Sequence, residues 1–114
     1  VSGAVRGALA LGLALLAAFA AGPAAAQERA LVLPHIEGER QGRIVGEAAA
    51  CGADEATTQA ALRLLSERMR ARVGQTLWQD RFLPEFNDAL RLGAQVPPGD
   101  CAKALAALTA LMRE

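Results

Sequence analysis

Residues 54–74, DEATTQAALRLLSERMRARVG, decide the fold class. Ala61, Leu62, Leu65, Met69 and Val73 recur at spacings of three and four, the period that lines one face of an α-helix. Arg63, Glu67, Arg70 and Arg72 fall mostly off that stripe. Asp54 stands where a carboxylate accepts the unpaired amides of a first helical turn. Gly74 follows the last periodic residue and supplies a stop. The spacing predicts a helix over 55–73.

Toward the C-terminus the same signals recur. Asp80 caps an expected helix over 81–92, which keeps Pro84 near the first turn, where its missing N–H costs little. Phe82, Leu83, Phe86 and Leu90 then face inward, and Gly93 ends the helix. A start at Thr76 with a kink at Pro84 is the alternative. Val96-Pro97-Pro98-Gly99 reads as a stiff turn. Asp100 caps a last helix over 101–113, with Leu105, Leu108, Met112 and Cys101 on one face. Upstream, Ile44, Ala48 and Cys51 share a face of a shorter helix over 43–51, ended by Gly52. No stretch alternates with period two for long enough to suggest a sheet. The fold class is therefore all-α, a small bundle of about four helices in residues 43–114.

Residues 27–42 read as an extended arm, because Pro34, Gly38 and Gly42 interrupt them. Its apolar patch, Leu31, Leu33 and Ile36, offers a partner contact, as does Trp78 in the connection before Asp80. The competing role for Trp78 is a plug at the end of the bundle.

Residues 1–26 differ in kind. They carry one charge, Arg6, followed by an apolar run from Ala8 to Ala21, the helix breakers Gly22-Pro23, and Ala24-Ala25-Ala26. This is the pattern of a secretory signal peptide. Cleavage between Ala26 and Gln27 delivers the rest to the periplasm or the medium. An uncleaved inner-membrane anchor is the alternative, although a spanning helix needs about 20 apolar residues. Of the 114 residues 53% are apolar and the formal net charge is zero. Past residue 26 the balance is slightly acidic, which argues against a nucleic-acid partner. Such a length also excludes a large enzyme core.

The two cysteines, Cys51 and Cys101, both lie beyond the leader. Export and an even cysteine count together favour an internal disulfide. Unrelated buried thiols and a bridge between chains are the alternatives. Catalytic and metal chemistries find little to work with. His35 is the single histidine, and with Glu37 and Glu39 it forms a weak H-x-E-x-E constellation that no second histidine or cysteine pair completes. Ser66, the one serine beyond the leader, has no neighbouring base. Asp54 and Glu55, or Glu85 and Asp88, are better explained as helix-terminal carboxylates than as acid–base pairs. No catalytic residue, cofactor or metal is assigned. Arg63 and Arg70, with Arg68 and Arg72, concentrate positive charge along one helix and suggest an anionic ligand or lipid; a solvated face is the plainer account.

The pattern Cys51 … Phe86-Asn87 … Arg91 … Cys101 resembles a family of small exported alphaproteobacterial proteins without an assigned function. The likeness covers Val45 to Leu108. Leu90 and Gln95 stand where that family's pattern has aromatic residues. The resemblance implies an exported, disulfide-stapled helical domain and no particular activity. The functional expectation is a small non-enzymatic exported protein that binds another protein or serves a structural role at the envelope, with the anionic-ligand bundle as the alternative.

Overall fold

A computed structural model of the chain describes residues 32–114. Four helices carry the fold: α1 (Pro34–Ala50), α2 (Glu55–Val73), α3 (Leu83–Gln95) and α4 (Cys101–Arg113). Among the described residues there is no strand, and no helix is long and apolar enough to cross a membrane. The bundle is all-α, and Cys51 and Cys101 are joined in a disulfide with Cα atoms 5.3 Å apart.

The helix ends follow local chemistry. Asp54 Oδ1 accepts from Thr57 N at 2.6 Å at the start of α2, and Asp100 Oδ1 accepts from Lys103 N at 3.0 Å at the start of α4. Each bond satisfies an amide that has no partner within its own helix. Gly52 ends α1 at φ 91°, a left-handed value cheap only for glycine. That turn lets Ala53 N reach back to the Ala48 carbonyl at 3.0 Å and closes the helix end.

The extended arm expected over 27–42 is corrected from residue 34 onward. Pro34 is the first residue of α1, a position where its fixed φ suits a helix and its missing N–H is not needed. Gly38, Gly42 and Gly46 then form a stripe at i, i+4 and i+8 that packs on α3. A Cβ at Gly38 would lie 2.6 Å from the Phe82 carbonyl oxygen; one at Gly42 would strike the Phe86 carbonyl and one at Gly46 the Leu90 carbonyl. The contacts advance along both helices in the same direction, so α1 and α3 run parallel with their backbones touching. Gly93 reciprocates from α3: an added Cβ would sit 3.1 Å from the Arg43 carbonyl oxygen. The glycines that looked like interruptions are the seam of the fold.

Two further corrections concern α3 and α4. Asp80 is not an N-cap. Helical structure begins at Gln75 and passes through a π-helical turn, Trp78–Phe82, in which Leu83 N donates to the Trp78 carbonyl. The widened turn precedes Pro84 and accommodates a residue that has no N–H to return. The earlier start near Thr76 is thus the nearer description, and α3 continues past Gly93 to Gln95. Phe82 and Phe86 are buried as expected, with ring centroids 5.2 Å apart. Ala89, rather than Leu90, completes the buried face of α3. In α4 the buried residues are Ala104, Leu108 and Leu111, while Leu105 is 37% exposed. The helix is rotated from the Leu105–Leu108–Met112 phase, because its alanines and leucines supply apolar residues on several sides.

Candidate functional site

The residues singled out by sequence do not converge. Leu31 lies outside the described residues. Leu33 and Ile36 are about half exposed at the start of α1. Trp78 is half-buried against α2: its Nε1 donates to Ser66 Oγ at 2.9 Å, and the Arg70 guanidinium lies 5.6 Å from its ring centroid. Such a cation–π contact stabilises modestly at a partly exposed site. The cleft nearest Leu33 and Ile36 is lined by Pro34, His35, Leu77, Asp80, Arg81 and Glu85, so Trp78 does not join the arm's apolar residues in a common cavity.

The arginines of α2 are also divided. Arg68 donates to the carbonyl oxygens of Leu111 at 3.0 Å and Met112 at 2.6 Å, binding the last turn of α4, where carbonyls lack the usual i+4 donor. Arg70 is committed to Trp78. Arg63 remains on the exposed surface.

The parallel α1–α3 seam creates a groove that the sequence reading missed. Because the glycines bring the backbones together, side chains on either side stand up as two banks. On α1 these are Glu39, Arg43 and Glu47, one helical ridge at steps of four. On α3 they are Glu85, Asp88 and Leu92, with Val96 just past its end. Ala89 and Gly93 form the floor and Pro98 closes one end, around a volume of about 480 Å³. Leu92 and Val96 are 64% and 73% exposed. Four carboxylates and one arginine line this space. Arg43 pairs with Glu39 at 2.7 Å, and Arg91, outside the lining, pairs with Asp88 at 3.0 Å. Among the described residues Glu47 and Glu85 have no salt bridge. The available signal was the Gly38–Gly42–Gly46 repeat, which reads as a close-packing stripe once the segment is allowed to be helical.

A second polar cluster lies elsewhere on α1. Glu37 accepts from Arg40 at 2.9 Å and from Gln41 Nε2 at 2.9 Å, and Arg40 also reaches Glu114 at 3.1 Å. Burial pushes the Glu37 carboxyl up, but hydrogen bonds from Arg40 and Gln41 and the positive charges of Arg40 and Arg72 together hold it below its ordinary 4.5. Gln41 is buried, and its Oε1 has no partner among the described residues. These bonds tie the start of α1 to the end of α4. They also separate the H-x-E-x-E residues: Glu37 turns to Arg40 and Gln41, whereas Glu39 turns to Arg43. Among the described residues no group of three potential ligands is placed to hold a metal.

Comparison with known protein families, with curated proteins and with solved structures finds no match to this chain.

Proposed function

We propose that this is a small exported, non-enzymatic helical module that works by binding another protein. The observation that carries this reading is the α1–α3 groove, an open apolar floor between banks rich in carboxylates, with Leu92 and Val96 left largely in solvent. Recognition grooves combine apolar surface with a few polar groups that set orientation. The Cys51–Cys101 bond suits an oxidising, extracytoplasmic environment. Cleavage between Ala26 and Gln27 and release into the periplasm are the finer proposals. Cys51, Cys101 and Phe86 hold structural positions, which supports reading the alphaproteobacterial resemblance as one of fold. The anionic-ligand reading has less to draw on, since Arg68 binds the end of α4, Arg70 lies over the Trp78 ring and Glu67 dilutes the rest.

The test starts from the chain expressed with its leader and recovered from the periplasmic fraction. Intact mass is measured with and without reduction before alkylation, and native cross-linking is carried out in the same fraction. The expected result is a chain beginning at Gln27, alkylated only after reduction, in a cross-linked species heavier than the monomer. A chain that stays in the cytoplasm, or is recovered only as a monomer at native abundance, overturns the proposal.

A further inference from the structure

The geometry points to one occupant for the α1–α3 groove: a basic amphipathic helix of a partner protein. This inference rests on the protein-binding reading and names the class of partner. Charge complementarity carries it first. Glu39, Glu47, Glu85 and Asp88 line the groove against Arg43 alone. Glu47 stands on one bank and Glu85 on the other, and both lack a salt bridge among the described residues. In the register that sets Gly42 against Phe86 and Gly46 against Leu90, they lie at different levels along the groove, so each can meet a separate cation of a docked helix, and Arg91 is held by Asp88.

Apolar exposure carries it second. Leu92 on α3 and Val96 at its C-cap are 64% and 73% exposed. With the floor of Ala89 and Gly93 they offer an apolar track that a wholly hydrophilic polycation would leave uncovered. Length decides the form of the ligand. The α3 bank from Glu85 to Val96 spans about 16 Å at the helical rise per residue, or about three turns of a docked helix. A partner helix lying along that track places apolar residues at i, i+3, i+4 and i+7 on the floor, and lysines or arginines on its flanks toward the two banks.

The experiment uses the full chain with its disulfide intact and a fluorescent peptide of about four turns, built from leucine and lysine at amphipathic helical spacing. Three controls carry the logic: the same peptide with glutamate for lysine, a lysine peptide of equal composition with its pattern scrambled, and vesicles of anionic lipid. The expected result is saturable binding of the patterned lysine peptide, weakened about tenfold or more by Glu47→Lys combined with Glu85→Lys. Val96→Glu is a second variant whose side chain lies outside the core, and it should weaken the same peptide while leaving the thermal unfolding of the chain in place. Arg63→Glu should leave binding unchanged. Raising salt toward 1 M, where the Debye length falls to about 3 Å, should weaken binding without abolishing it, because the apolar track remains.

Equal affinity for the lysine and glutamate peptides overturns the inference, as does equal affinity for the scrambled peptide or indifference to both groove variants. Preferential binding to anionic vesicles overturns it in favour of the arginine face of α2. Self-association of the chain that is lost in Glu47→Lys overturns it in favour of a second copy. The broader reading fails separately: a cross-linked partner that survives the groove variants refutes this inference and leaves the protein-binding function standing.

Discussion

The α1–α3 pair and the α2–α4 pair achieve burial by opposite means. Along α1 and α3 the side chain has been removed. Gly38, Gly42, Gly46 and Gly93 let two backbones meet, and Phe82 and Phe86 fill the space beside them. In α2 and α4 whole side chains are buried, Leu65 and Met69 from one helix and Leu108 and Leu111 from the other, and the Arg68 guanidinium reaches across to the carbonyls of α4. The first arrangement has no room to add an atom, and the second has none to lose. Backbone contact also has a consequence for the surface: the residues flanking a glycine seam rise above it, so close backbone packing lies under an open groove.

The covalent link between α1 and α4 sets the scale of the largest effect. Replacing both Cys51 and Cys101 by serine opens a cross-link between residues 50 apart in sequence, and the chain-entropy account gives a loss of about 4 kcal/mol. Urea unfolding of the variant, and of the native chain with reductant, should agree on this loss; a midpoint that does not move would show that the two helix ends are held by other contacts. Next come the two seams themselves. Leu65→Ala should cost about 3 kcal/mol through a lost side chain and the cavity left behind. Gly42→Ala should cost about 2 kcal/mol by overpacking, even though alanine is the better helix former. The same change at Gly99, where an added Cβ meets nothing, should be neutral or slightly stabilising. If Gly42→Ala were as benign as Gly99→Ala, the backbones of α1 and α3 would not be in contact in solution.

Arg68→Met tests the polar bridge between α2 and α4. It keeps an apolar stem but removes the side-chain donor to two carbonyls, and about 1–2 kcal/mol should be lost. Arg63→Met on the same helix is the matched control, expected to be near zero. The smallest effect is the pH dependence of the Glu37 cluster. Its carboxyl has a folded pKa below the ordinary 4.5, so its contribution is present above that ordinary value and is lost as pH falls through the lower folded value. In an acid series of thermal melts, the gap between the native chain and Glu37→Gln should close below about pH 4.5. A gap that stays constant to low pH would remove the Arg40 and Gln41 bonds as its cause.

Much of this molecule was legible before its structure. The span of α2, its Asp54 cap, the Asp100 cap of α4 and the pairing of Cys51 with Cys101 follow from signals that operate over a few residues or from cysteine arithmetic. The first half of α1 was not legible in that way. Helix propensity counts glycine as a loss of about 1 kcal/mol per residue, and a scan for apolar periodicity finds no stripe in a segment whose packing face has no side chains. For α4 the difficulty was the reverse: alanine and leucine on every side made Leu105 as eligible for burial as Leu111. Trp78 was expected in a connection, but it lies in the π-helical turn of a continuous helical stretch, where its Nε1 donates to Ser66.

The groove was the least legible feature. Its acidic residues belong to separate local patterns, Glu39 to the H-x-E-x-E run and Glu85 with Asp88 to the start of α3, and the two groups lie far apart in the chain. Sequence by itself determined the class, an all-α domain with capped helices and one disulfide, because periodicity, capping and cysteine count are local properties. Tertiary structure alone decided that α1 and α3 run parallel in backbone contact and that carboxylates from both flank one apolar floor. Those facts depend on which helix faces meet, and glycine declares its face only when a neighbouring backbone occupies the space its side chain lacks.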